Sequence, residues 1–165
     1  MVKLIFYIML FQAIAINPSI VEVRDLYVKA SASQEAATKF YQKLKNVTKT
    51  DEATLVGYKA AATTMQAKYA DKIKNKKALF KEGVVLLEDI IIKYPSNIEL
   101  RLIRLSIQEH APKILKYKMN IKEDKMFITS QLSYLKNKAL KNHIKGYVSQ
   151  SNAFTAQEKT VISKL

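Results

Sequence analysis

Apolar residues recur along most of this chain with the three- to four-residue spacing of an amphipathic helix, and no stretch alternates with the two-residue period of a strand. The pattern predicts an all-α fold of about seven helices that pack as antiparallel hairpins. The predicted helices cover residues 18–30, 33–46, 50–69, 78–94, 97–111, 120–150 and 155–165. Short connections between them predict three hairpins, at 20–45, at 53–94 and from 97 into the 140s.

Prolines and capping residues set several of these boundaries. The residues before Pro95 and Pro112 disfavour the helical conformation, so a predicted helix ends at each. Residues 71–77 are strongly basic and lack an apolar period, which predicts a loop or a frayed helix end. Two pairs have the spacing of a capping box, Asn120 with Glu123 and Thr155 with Glu158.

The first fifteen residues have the pattern of a secretory signal. Lys3 gives a positive start, residues 4–11 form a dense apolar run, and Ala13 and Ala15 supply the small residues of a cleavage site. The run is shorter than the roughly 20 residues that a spanning helix needs. We therefore predict a cleavable signal at 1–15 and a single domain at 16–165 with no transmembrane span. An N-terminal core helix and an uncleaved anchor are the alternatives.

Two arginines distinguish the predicted helix at residues 97–111. Arg101, Arg104 and Gln108 lie at i, i+3 and i+7, so they share one face of a largely apolar helix. Arginine stays charged when desolvated and presents a planar fork to a carboxylate. This face therefore predicts either a buried salt-bridge network or a site for an anionic ligand. The candidate internal partners are Glu123, Asp124, Glu88 and Asp89.

The chain is strongly basic, with a formal net charge of +14. Most of this charge comes from lysine, and two clusters are candidates for a basic surface: Lys72, Lys74, Lys76, Lys77 and Lys81, then Lys136, Lys138, Lys141 and Lys145. Such clusters attract anionic polymers and lipids, although runs of charge are also ordinary solvated helix faces. Nucleic acid is not the expected partner, because no aromatic residues are interleaved for stacking and an exported protein rarely meets it.

No recognisable catalytic or cofactor motif is present. The chain has no cysteine, which excludes disulfides, thiolate metal sites and a cysteine nucleophile. Its two histidines, His110 and His143, lack metal-ligand spacing and are expected at a helix end or on the surface. The three glycines are isolated within helices, so they form no phosphate-binding loop and are expected to serve helix packing. We predict no catalytic residues, no metal and no cofactor.

Part of the chain, around residues 83–108, resembles a tetratricopeptide repeat. Gly83, Leu87, Ile90 and Pro95 stand where the second helix and exit of such a repeat carry a small residue, core residues and a proline. The match is partial, because residues 53–69 lack the usual tryptophan. The resemblance implies tetratricopeptide-like packing of helical hairpins.

Four motifs extend the comparison over much of the chain: Leu55-Val-Gly57-Tyr58-Lys-Ala60, Glu99-Leu-Arg101-x-x-Arg104-x-x-Ile107-Gln108, Ala111-Pro112-Lys113 and Glu123-Asp124-Lys125. With them the chain resembles a family of small exported helical proteins of Bacteroidetes. That resemblance implies an envelope location and no activity. We expect a non-catalytic interaction or structural module, periplasmic or extracellular, that binds a protein or peptide. The alternatives are a charge-driven binder of anionic envelope polymers or lipid head groups, and an enzyme of unrecognised type.

Overall fold

The computed structural model describes residues 17–165, so the predicted signal at 1–15 lies outside the described residues. The described part contains eight α-helices, one short 3₁₀ helix at Lys113–Leu115 and no strand, which confirms the all-α prediction. The α-helices are α1 Ile20–Ala30, α2 Gln34–Lys43, α3 Ala53–Tyr69, α4 Ile73–Lys93, α5 Ile98–His110, α6 Ile121–Leu132, α7 Lys138–Gln150 and α8 Ala156–Lys164. None of these helices is both long enough and apolar enough to cross a bilayer.

Consecutive helices pack in pairs, α1 with α2, α3 with α4, α5 with α6 and α7 with α8. The first helices of the pairs also contact one another in succession, α1 with α3, α3 with α5 and α5 with α7. Each of α2 and α4 contacts the first helix of the next pair. The fold is therefore a stack of helical hairpins. Its likeness to tetratricopeptide packing stays a prediction.

Side chains that accept hydrogen bonds from free backbone N–H groups begin most of the helices. Ser19, Ser33, Asn97 and Asn137 do so at α1, α2, α5 and α7, and each pairs one or two of the free N–H groups of the first turn. At α8, Thr155 and Glu158 form the predicted capping box. At α6 the predicted box is wrong: the Asn120 side chain makes no capping bond, because its amide donates to Glu123 and its oxygen accepts from Gln108.

The sequence allowed a loop or a frayed helix end at residues 71–77. The loop is wrong, because α4 begins at Ile73. Residues 71–78 are all exposed, so their side chains follow no apolar period. Lysine is nevertheless a good helix former, and the first two turns of α4 form without a buried face.

The predicted single helix at residues 120–150 is two helices, α6 and α7, separated by residues 133–137. The apolar period runs on through Leu135, which conceals the break in the sequence. The Asn137 side chain accepts a hydrogen bond from the Leu140 N–H and starts α7 in a new direction. As a result, the third predicted hairpin ends with α6, and α7 pairs with α8.

Two hydrophobic clusters form the core, and α5 contributes to both. Leu100, Ile103 and Ile107 pack with residues of α1 to α4, whereas Leu102 and Leu105 pack with residues of α6 to α8. Few positions on α5 remain exposed, as expected for a central helix.

Glycine permits close helix contact at two of its three positions. A Cβ atom at Gly83 would lie 2.6 Å from both the Ala60 carbonyl oxygen and Thr64 Cγ2, and one at Gly57 would overlap Leu100. A Cβ atom at Gly146 would meet nothing within 4 Å, so helix packing does not account for that glycine.

Candidate functional site

The arginine face of α5 meets α6 and α4 in an ion-pair network. Arg104 donates from Nε to Asp124 Oδ2 and from Nη2 to Asp124 Oδ1, both at 2.7 Å, and from Nη1 to Glu88 Oε2 at 2.9 Å. The Asp124 side chain is completely buried. All three nitrogens of the Arg104 guanidinium therefore have a carboxylate partner within the protein, which leaves no open fork for a ligand.

Arg101 and Gln108 extend the same network. Arg101 Nη1 donates to Glu123 Oε1 at 2.7 Å and to Asp124 Oδ1 at 3.2 Å. Gln108 is fully buried and exchanges two hydrogen bonds with Asn120, one to its side chain and one from its backbone N–H.

The other two candidate acids, Glu88 and Asp89, have different partners. Glu88 also accepts a hydrogen bond from Tyr117, whereas Asp89 is exposed and its Oδ2 lies 3.9 Å from Nζ of the exposed Lys49.

Burial and ion pairing act against each other in this network. Burial raises the pKa of Asp124 above its ordinary value, although its hydrogen bonds from Arg104 oppose the shift. Burial opposes the charge of Arg104, but its hydrogen bonds to Asp124 and the nearby Glu88 raise the pKa of the guanidinium above its ordinary value. Hydrogen bonds from Asn120 and Arg101 lower the pKa of Glu123. The structure thus brings together Arg101, Arg104, Gln108, Glu123 and Asp124, and it joins them to each other.

A second buried polar cluster joins the four first helices of the hairpins. Arg24 of α1 donates from Nε and Nη2 to the two carboxylate oxygens of Glu99 on α5, at 2.7 and 2.6 Å. Tyr58 of α3 donates from its hydroxyl to Glu99 Oε1 at 2.7 Å. His143 of α7 lies with Nε2 3.2 Å from the Tyr58 hydroxyl oxygen.

Proton positions in this cluster follow from its hydrogen bonds. Burial and the nearby Glu99 raise the pKa of Tyr58, so its hydroxyl keeps the proton that it donates to Glu99. The Tyr58 oxygen then accepts from His143, which assigns the proton of the neutral imidazole to Nε2. Burial lowers the pKa of His143, although Glu99 opposes this shift.

Sequence reasoning missed this second cluster. Arg24 is the third arginine of the chain and lies on an amphipathic helix. Like Arg101 and Arg104, it could have been expected to pair with a carboxylate. Glu99 lies 75 residues away, and no spacing rule connects two such residues. His143 was expected at a helix end or on the surface, but it is only partly exposed and contacts Tyr58.

A further carboxylate of α5, Glu109, fixes the connection between α7 and α8. It accepts hydrogen bonds from the hydroxyls of Tyr147 and Ser151 and from the backbone N–H groups of Asn152 and Ala153. These bonds lower the pKa of Glu109 even though burial opposes the shift. The acid therefore serves to position a loop.

The predicted basic residues divide into two groups. Those of the first group are all exposed: Lys72 directly precedes α4, and Lys74, Lys76, Lys77 and Lys81 lie on its first half. Lys141 and Lys145 instead donate to the carbonyl oxygens of Leu165 and Ser163 at the end of α8, where the helix dipole favours a positive charge. Lys136 and Lys138 are exposed beside the start of α7.

Two depressions in residues 17–165 are open grooves. One lies between α6 and α8 and holds about 600 Å³, with Lys122, Met126 and Thr129 among its lining residues. The other lies between α7 and α8 and holds about 510 Å³. No group of three potential metal ligands among His, Asp and Glu occurs in this part of the chain.

No protein-family model matches this chain, and neither does any curated protein. No solved structure matches it either.

Proposed function

We propose that this chain is a non-catalytic helical interaction module that is exported to the periplasm or beyond the cell. The observation that carries the proposal is the arrangement of α1, α3, α5 and α7. These four helices contact one another in succession, and each also packs against the second helix of its own hairpin. Stacked helical hairpins present a continuous surface to an extended protein or peptide.

The two buried clusters support this proposal. Arg24 with Glu99 and Arg104 with Asp124 are paired within the protein, so the strongest polar groups of the core are used in holding helices together. Breaking such pairs costs far more than forming them contributes, which makes them determinants of a specific helix arrangement. A rigid arrangement lowers the entropic cost of ordering a recognition surface when a partner binds.

Site-specific photo-crosslinking in cells tests this function. A crosslinking amino acid is placed at three exposed positions on the first helices, Val28, His110 and Asn142, and at three on the second helices, Glu35, Glu82 and Thr160. We expect a defined adduct from the first set and none from the second. Equal adducts from both sets, or none from either, would contradict the proposal. A reporter fused after residue 16 and assayed for export tests the location separately.

A second function, charge-driven binding of anionic envelope polymers or lipid head groups, is favoured by the first half of α4. Its lysines are exposed on an ordered helix, and none of them forms an ion pair with an acid in residues 17–165. Binding of soluble polyphosphate measures this function. It should weaken strongly as salt is raised, because released counterions drive such association. Affinity that does not change with salt would contradict it.

A further inference from the structure

The connections after α3 and after α5 lie at the same end of the molecule. The two helices run parallel, because their contacts advance together. Asn97 at the start of α5 donates to Thr54 at the start of α3, and Tyr58, one turn further along α3, donates to Glu99, two residues further along α5. Both helices therefore point their carboxyl ends the same way. The loop that follows each one emerges at that end.

These two connections are also neighbours. The ring of Phe80 on α4 meets the ring of Tyr117 edge to face, with centroids 5.9 Å apart. Tyr117 belongs to the connection between α5 and α6, and its hydroxyl donates to Glu88 on α4. We call residues 68–77 together with 113–119 the basic end of the protein.

The basic end carries a concentrated positive charge. Its exposed lysines are Lys68, Lys72, Lys74, Lys76, Lys77, Lys113, Lys116 and Lys118. Asp71 is the only acid within these two ranges. None of the lysines is paired with an acid elsewhere in residues 17–165. The opposite end of the hairpins is mixed in charge, since Asp51, Glu52 and Asp89 lie there.

Three large apolar side chains project from among these lysines. Ile73 is 72% exposed, Ile114 is 81% exposed and Met119 is 79% exposed. Each lies within three residues of at least one lysine on either side. The combination of lysines with protruding apolar side chains is characteristic of surfaces that lie in the membrane interface.

We propose that the basic end docks on an anionic lipid surface, with its lysines against the head groups and with Ile73, Ile114 and Met119 in the interfacial layer. The inference rests on the charge-driven function proposed above and names its partner. A soluble polyanion would satisfy the lysines but offers nothing to the three apolar side chains. A lipid surface satisfies both, because the head groups take the charge while the acyl boundary takes the apolar groups.

Binding of the full chain to vesicles tests this proposal, using two parts phosphatidylcholine to one part phosphatidylglycerol and pure phosphatidylcholine for comparison. All variants share residues 1–16, so differences between variants report on the basic end. The variant with Lys72, Lys74, Lys76 and Lys77 changed to Gln should bind anionic vesicles on the order of a hundredfold more weakly at low salt. Its control changes four exposed lysines elsewhere to Gln: Lys45, Lys93, Lys136 and Lys138. The control should retain most of the affinity.

A second variant separates lipid from polymer. Changing Ile73, Ile114 and Met119 to Ser should weaken vesicle binding about tenfold and leave polyphosphate binding unchanged. A matched apolar control, Val21, Ile92 and Tyr134 changed to Ser, removes exposed side chains away from the basic end and should leave both affinities within about twofold. Circular dichroism checks that each variant folds. A variant with only Ile114→Ser and Met119→Ser changes no residue of an α-helix, so it gives a second measurement of the apolar contribution to vesicle binding.

The outcomes are distinct. Vesicle binding that is equal in the apolar variant and its control overturns the lipid proposal, and retained polyphosphate binding then leaves charge-driven binding of polymers standing. Failure of the full chain to bind either probe overturns both proposals. Equal losses from the basic-end lysines and the control lysines would show attraction through net charge alone, which also overturns docking at this end.

Discussion

Replacing Arg104 by Met tests the buried network most directly. Methionine keeps an apolar stem of similar length and a high helix propensity, so the change removes mainly the guanidinium. It leaves the carboxylate of Asp124, which is completely buried, without its two bonds of 2.7 Å. One weaker bond remains, from Arg101 Nη1 at 3.2 Å.

Removing one partner of a buried ion pair costs about 3–5 kcal/mol, and the residual Arg101 bond places the expected loss near the lower limit. With a urea m-value of about 2 kcal/mol per molar, a loss of about 3 kcal/mol lowers the unfolding midpoint by about 1.5 M. The assay is equilibrium urea unfolding followed by far-ultraviolet circular dichroism. The slope of the transition should not change.

A surface pair provides the control. Lys43 lies 2.7 Å from Glu22, and both side chains are substantially exposed, so Lys43→Met should cost less than about 0.5 kcal/mol. Adding Asp124→Leu to Arg104→Met removes the stranded charge and should recover much of the loss. The reasoning would be refuted by an Arg104→Met midpoint within the error of Lys43→Met, or by a double variant less stable than the single one.

Four further substitutions test other parts of the structure. Gly83→Ala should lower the melting temperature by several degrees, because its Cβ would lie 2.6 Å from the backbone oxygen of Ala60. Gly146→Ala should stabilise the folded protein by about 0.4–1 kcal/mol, because a Cβ there would meet nothing within 4 Å. Calorimetry measures both effects. Thr155→Ala should cost about 1 kcal/mol in urea unfolding, since it removes the cap of α8. The free energy of unfolding should fall as the pH drops below about 6.5. Burial lowers the pKa of His143 in the folded protein, so the unfolded chain binds a proton that the folded protein does not. His143→Gln should reduce this fall, and urea titrations repeated across pH measure it.

Each change has an outcome that contradicts it. Equal effects at Gly83 and Gly146 would argue against close contact between α3 and α4. An unaltered midpoint for Thr155→Ala would mean that the capping box contributes nothing. His110 is the control for the pH experiment because it is exposed, and a pH dependence altered more by His110→Gln than by His143→Gln would contradict the assigned environment of His143.

The sequence predicted the helical class, and it gave the α5 network as one of two alternatives, for the same physical reason. Apolar spacing identifies a buried face, and Arg101 and Arg104 on an apolar helix require acids nearby. It failed where spacing carries no information. The pair of Arg24 with Glu99 depends on how α1 folds back over α3, and the break before Asn137 lies within an unbroken apolar period. The start of α4 at Ile73 was missed because a helix without a buried face has no period to detect.

The sharing of α5 between the two hydrophobic clusters has a consequence for how the protein unfolds. Unfolding of α6 to α8 would expose Leu102 and Leu105 and would leave Arg104 without Asp124. Unfolding of α1 to α4 would leave Glu99 without its partners Arg24 and Tyr58. Neither half can therefore persist alone at low free-energy cost. The amides of α5 should exchange with solvent only through global opening, so that two separate cores behave as one cooperative unit.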